Sequence, residues 1–144
     1  MQRAAILASA RAWIGTPYWH QASLRGVGCD CLGLVRGVWR ECIGPEPEPM
    51  RPYSPDWAEA AGGEPLIELG ERHFWRIADG RWRAGDVLVF RFYERAPAKH
   101  LAIAAGAGKM IHAHDGACVA EVSIGAWRRR IAAAFAFPDV ADAG

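Results

Sequence analysis

The stretch Asp30-Cys31-Leu32-Gly33-Leu34-Val35-Arg36-Gly37-Val38-Trp39-Arg40-Glu41-Cys42 governs the reading of this chain. Leu34, Val35, Val38, Trp39 and Cys42 recur at helical period, which predicts a helix over residues 31–42 with one apolar face. Asp30 stands where an N-cap belongs, and Gly44 with Pro45 ends the pattern. Cys31 therefore opens a helix. A thiol there meets unpaired backbone N–H groups and the positive end of the helix dipole, both of which favour thiolate. Thiolate is the nucleophile of acyl transfer. The N–H of Cys31 is also a natural oxyanion donor, and Gly33 is expected to leave the space over the first turn open. By position alone a cysteine opening a helix is more often a packed small residue, so the assignment needs a base.

Outward from that helix the chain divides in two. Residues 2–14 carry Ile6, Ala10, Trp13 and Ile14 at helical spacing, stopped by Gly15 and Pro17, and residues 15–29 read as loop. Beyond the helix, five of the nine prolines fall within residues 45–55, an extended excursion that is neither helix nor central strand. Residues 56–78 read as two short helical pieces split by Gly62-Gly63. The second half changes period. Residues 86–93, 100–105, 109–114, 117–122 and 130–137 are short apolar or alternating runs punctuated by glycines, as in an antiparallel meander. Helices first and strands after predict an α+β fold, N-terminal helices packed on an antiparallel sheet of about five strands. No repeat or second domain is visible, so residues 1–144 are read as one domain.

Composition narrows the function. With 51% hydrophobic and 23% charged residues the chain is of ordinary globular type. Its net charge of +1 gives no electrostatic case for a nucleic-acid partner. Arg128-Arg129-Arg130 reads as a solvated strand edge. Seven tryptophans hint at a grooved surface. The four cysteines, at 29, 31, 42 and 118, are expected to be reduced thiols. No basic region leads into an apolar stretch at the N-terminus, and no apolar run approaches the ~18 residues of a membrane span, so synthesis in the cytoplasm without a signal peptide or membrane insertion is expected.

Two histidines supply the base. His100 starts a predicted strand, where its ring can project from the sheet end toward the first helix. His112 lies inside the next strand between Ile111 and Ala113, so its ring needs a partner. A line Cys31–His100–His112 follows, with His100 taking the thiol proton and His112 accepting from its far nitrogen. His20, His73 and His114 have nothing in the sequence that ties them to the cysteine.

These residues have a familiar order. Gly15-Thr16-Pro17-Tyr18, Asp30-Cys31-Leu32-Gly33-Leu34-Val35, Gly85-Asp86-Val87-Leu88-Val89-Phe90, His100-Leu101-Ala102-Ile103 and Met110-Ile111-His112-Ala113 together resemble the NlpC-type cell-wall peptidases, with a papain-like fold. Residues 28–41 resemble the subset found with phage tails and gene-transfer particles. The resemblance implies Cys31, His100 and His112 as catalytic residues and Tyr18 on the oxyanion side. Tyr18, Asp30 and Arg25 make up the expected oxyanion and substrate-binding set. The implied substrate is the peptidoglycan stem peptide, cut between D-glutamate and the diamino acid. The free α-carboxylate of that linkage calls for a cation, with Arg25 and Arg36 nearest in sequence, though Arg36 reads as a solvent-facing helix charge. No cofactor is expected. Phage-like tail proteins are the implied partners, and a particle-borne enzyme meeting the wall from outside is the implied setting. The chain departs from the family in reading Trp19-His20-Gln21-Ala22 where most members have Trp-Gly-Gly, and Leu32 where most have serine.

Rival readings use the same residues. Cys29-x-Cys31 with His112-x-His114 offers two sulfur and two nitrogen ligands for tetrahedral zinc, at a cysteine spacing tighter than usual and with His100 left idle. An amidase, an acyltransferase resolving the thioester with an amine, or a wall-binding tail component without catalysis could carry the same fold.

Overall fold

Asp30 caps the central helix as its position requires. Its Oδ1 accepts from the Gly33 amide at 2.7 Å, a bond of the kind worth ~1 kcal/mol. Helix α2 (Cys31–Cys42) follows and packs on α1 (Arg3–Ala12). The helices come close because Gly37 lacks a side chain: a Cβ there would lie 2.0 Å from Cζ2 of Trp13, which is fully buried. The computed structural model describes residues 1–50 and 62–140. Residues 45–50 form neither helix nor strand, as their prolines demand, and Glu46 is held by Arg36 and Arg40 of α2. The rest of the proline-rich excursion, and the first helical piece expected after it, fall outside the described residues. The second piece is α3 (Pro65–His73).

Six strands, one more than expected, form the main sheet: β3 (Trp75–Ile77), β4 (Val87–Phe90), β5 (His100–Gly106), β6 (Lys109–His112), β7 (Ala120–Ser123) and β8 (Ile131–Ala136). Their order is β3-β8-β4-β5-β6-β7, every neighbour antiparallel. The meander therefore holds from β4 to β7, whereas β8 returns to the other side of β4. The strand not expected is the edge strand β3. Phe74 packs edge-to-face against Phe135 and Phe137 at the end of α3, and pairing of Trp75 with Ala136 then overrides the helical pattern. The expected loop before Cys31 also holds a small hairpin, β1 (Ser23–Leu24) with β2 (Gly28–Cys29).

Both faces of the sheet are covered. Val87, Val89, Leu101, Ile103 and Phe135 join Ile6, Ala10, Leu34 and Val38 of the helices in one cluster. Leu88, Phe90, Ala102, Ala104 and Met110 alternate onto the other face, under Ile124, Trp82 and Trp127. Trp127 belongs to a 3-10 turn over Gly125–Arg130. The Arg128–Arg130 cluster is thus not a strand edge. The turn is pinned by buried Ile124 and by Trp127, Arg128 lies 5.3 Å over the Trp82 ring, and Arg130 donates to the Phe92 carbonyl. Asp86 ties α1 to the sheet, accepting from Arg3 at 2.5 Å and from the Arg83 amide at 2.8 Å. No helix among the described residues is long and apolar enough to cross a membrane.

Candidate active site

The Cys31 thiol sits, half-buried, where α2 begins beside the start of β5. Its Sγ lies 4.0 Å from the carbonyl oxygen of Lys99, the residue before His100. Burial, and then the Asp30 carboxylate, push the thiol up to about 12, while the backbone N–H groups of Leu101, Leu32 and Cys31 pull the other way. The resting group is therefore a thiol donating to a carbonyl. The thiolate expected from the helix start alone is outweighed by desolvation. Gly33 also differs from expectation: the space over the first turn is filled, since a Cβ there would meet the Ala22 carbonyl oxygen at 1.9 Å. The glycine lets the β1–β2 hairpin press onto the helix start.

His100 and His112 meet as expected. His100 Nε2 and His112 Nδ1 are 2.9 Å apart, both rings buried. In the β5–β6 register Ile103 faces Ile111 and Ala104 faces Met110, so His112 lies diagonal to His100, within reach across the pleat. Alternation places both on the face opposite the helices, with Phe90 and Trp127, so the cysteine and the histidines approach the strand end from different layers. Burial and then the His112 and His114 charges lower His100 to about 3, and burial and then His114 lower His112 to about 4. Both imidazoles are neutral at neutral pH. With Nε2 engaged by His112, Nδ1 is the nitrogen of His100 left for the thiol. A proton acceptor at Nδ1 requires the tautomer with hydrogen on Nε2, which donates to His112.

One cleft of about 250 Å³ joins Cys31 and His100, lined also by Tyr18, Asp30, Lys99 and His114 among others. Tyr18 is half-buried and its phenol is raised by burial and then by Cys31, so it stays a donor. Asp30 borders the cleft, but its carboxylate serves the chain: Oδ1 holds Gly33 N and Oδ2 accepts from Gln21 N at 2.7 Å. That makes Asp30 a positioning residue. Arg25 does not border the cleft. It is exposed and pairs with Glu41 at 3.7 Å, because the hairpin turns its tip away. Arg36 grips Glu46 at 2.6 Å and is more than a solvent-facing charge.

The cation of the cleft is Lys99, whose Nζ lies 6.0 Å over the Phe92 ring. Its place next to His100 was the available signal. His20 and His114 also border the cleft, although the sequence did not tie them to the cysteine. His114 stacks on His112 at 5.6 Å with an interplanar angle of 11°, the same-face relation that alternation predicts for residues two apart. Trp127 packs against all three histidine rings. The zinc site of two cysteines and two histidines is not assembled. Cys29 is buried in the core, and the ligand atoms that cluster among the described residues are those of His100, His112 and His114. All four thiols are free.

Known proteins share this fold. Residues 15–135 match the NlpC/P60 family. Over 108 residues the chain is 31% identical to the gamma-DL-glutamyl hydrolase of Bacillus subtilis (strain 168), a match covering 75% of this chain and 22% of that protein. The chain thus spans about a fifth of the length of that curated relative. The crystal structure of the NlpC/p60 domain of the peptidoglycan hydrolase SagA superposes with a TM-score of 0.67 at 27% identity, over 95% of this chain and 100% of that one. The peptidoglycan hydrolase RipB of Mycobacterium tuberculosis shares the fold, with a TM-score of 0.61 at 19% identity over 92% and 63% of the two chains. A match running from the turn before Tyr18 into the last strand, on a fold common to these solved structures, establishes that the chain belongs to the NlpC/P60 family.

Proposed function

We propose that this chain is a cysteine peptidase of peptidoglycan stem peptides, acting through Cys31 with His100 as base and His112 as the residue that orients it. The observation that carries this reading is a thiol at a helix start sharing one cleft with His100, whose ring is paired with buried His112 behind it. His100 Nδ1 takes the thiol proton as sulfur attacks the scissile carbonyl, and the imidazolium that forms is stabilised by its Nε2–H bond to His112. The carbonyl oxygen, now an oxyanion, is held by the Cys31 N–H and the Tyr18 hydroxyl. Collapse of the intermediate expels the amine, which receives the proton from His100, and leaves a thioester. Water, activated by the same imidazole, then releases the acid and restores the thiol.

The bond is the one between D-glutamate and the diamino acid, made through the side-chain carboxyl. Support comes from the gamma-DL-glutamyl hydrolase among the relatives and from a lysine, Lys99, beside the nucleophile to receive the free α-carboxylate. The likeness of residues 28–41 to the tail-borne subset supports delivery on a phage-like particle, which co-sedimentation with tail proteins tests. For the reaction itself, defined muropeptides are incubated with the wild type and with Cys31→Ala, and the new ends are read by mass. A product ending in D-glutamate, absent with Cys31→Ala, is expected. Release of L-alanine from the sugar alone makes the enzyme an amidase, and no cleavage at all leaves a wall-binding component.

A further inference from the structure

The third histidine has no part in that mechanism, yet it completes a second arrangement. His114 follows β6, exposed at the cleft, with its ring stacked on His112 and 5.7 Å from the His100 ring. One ring nitrogen from each of His100, His112 and His114 lies within 4.8 Å of the others. Around a tetrahedral zinc with Zn–N of ~2.0–2.1 Å, ligand nitrogens sit about 3.3 Å apart. His100 Nε2 and His112 Nδ1, at 2.9 Å, are already near that spacing. The exposed His114 ring closes the set by turning out of its stack on His112, so that its in-plane nitrogen lone pair meets theirs. We propose that His100, His112 and His114 form a three-imidazole site for a borderline divalent cation, with Zn²⁺ the fitting ion, and that filling it switches the peptidase off.

The off state follows from proton counting on one ring. A neutral imidazole carries one hydrogen. In the working tautomer that hydrogen is on His100 Nε2 and is shared with His112. A metal on Nε2 displaces it, and the only remaining place on the ring is Nδ1, the nitrogen that must accept the thiol proton. The base is thus blocked without any change in net protonation. His112 can give Nδ1 to the metal and keep its own hydrogen on Nε2. Metal and catalytic hydrogen bond exclude each other because both need the same pair of nitrogens. Three imidazoles around an ion with one position open to the cleft also match what zinc accepts from protein ligands. Trp127, packed on all three rings, limits how far they can separate.

Switching off rests on the peptidase reading above, whereas metal binding does not, and the test separates them. Zn²⁺ affinity of the full chain is measured by competition with a chromophoric chelator, for the wild type, His114→Ala, His114→Gln and Cys31→Ala. One equivalent is expected. Both His114 variants should lose at least the ~10–100-fold that removal of even an outer-shell partner costs a metal site. Cys31→Ala should bind as the wild type does. Muropeptide cleavage by the wild type should then fall with free Zn²⁺ along the binding curve, and EDTA should leave the metal-free rate unchanged. Equal affinity in wild type and His114 variants overturns the site. So does affinity lost with Cys31 and kept without His114, which marks a thiolate–imidazole pair instead. Binding through the three histidines with no loss of cleavage overturns the switch. A metal-free enzyme that cuts no muropeptide overturns the peptidase reading and leaves the binding result standing.

Discussion

Replacing His112 tests whether a buried histidine pair is catalytic or merely packed. In His112→Ala the Nε2–H of His100, itself buried, loses an acceptor at 2.9 Å. A buried donor left unpaired costs ~1–3 kcal/mol. The loss is felt most when His100 is protonated, since the orphaned N–H then belongs to an imidazolium. At 1.36 kcal/mol per tenfold, kcat/KM should fall about 5–150-fold, beside the ~100-fold or more expected for removing the base itself in His100→Ala. His112→Asn and His112→Gln present an amide oxygen to the same hydrogen and should recover most of the rate. The assay is steady-state cleavage of a defined muropeptide, with circular dichroism to confirm folding. A folded His112→Ala with wild-type kinetics refutes the orienting role and leaves His112 a core residue.

The other expectations concern protons, thiols, charge and packing. His100 and His112 stay neutral down to about 3 and about 4 when folded, burial being the main cause, whereas in the unfolded chain they take up protons near pH ~6.5. The unfolded state thus binds more protons in that window, and stability should fall as pH drops through it by up to ~1.4 kcal/mol per unit for each ring. Melts of His112→Gln should show a shallower slope than wild type, and identical slopes would contradict this. Alkylation at neutral pH should mark exposed Cys118 and, of the rest, Cys31; only the Cys31 label should weaken in His100→Ala, and labelling indifferent to His100 would separate thiol from base. Lys99→Ala should raise KM by roughly tenfold, a ~1.4 kcal/mol contact, on substrates with a free α-carboxylate and not on amidated ones, while Arg25→Ala changes neither. Equal effects on both substrates would remove the carboxylate role. Gly33→Ala drives a methyl to 1.9 Å from the Ala22 carbonyl and should cost ~1–3 kcal/mol with loss of cleavage; an active, equally stable variant would show that the hairpin gives way.

What the sequence made legible was local or periodic. The Asp30 cap, the helix over residues 31–42 and the placement of His100 and His112 on neighbouring strands rest on spacing, and spacing survives folding. What it hid depends on partners far along the chain. β3 exists because β8, some sixty residues later, offers it an edge (about the separation of Trp75 and Ala136). Gly33 reads as open space until the Ala22 carbonyl is known to occupy it. Arg25 and Arg36 are the cations nearest the nucleophile by count, whereas Lys99 is the one that shares its cleft, because the start of β5 is brought to the start of α2. Thiolate was expected from the helix dipole, a local quantity, and burial is set by the whole molecule.

In the proposed mechanism the nucleophile rides on one layer of this domain and its base on the other. Catalysis therefore measures how well the layers are docked, which no spectroscopic signal from either layer alone reports. A compact state that kept α2 and the sheet but loosened the packing between them would retain its far-ultraviolet dichroism. It would hold a cysteine and a histidine pair individually intact and no longer in register. Inactivation under heat or mild denaturant should then precede the loss of secondary structure, and turnover becomes a ruler for the seam at Leu34, Val38 and Leu101.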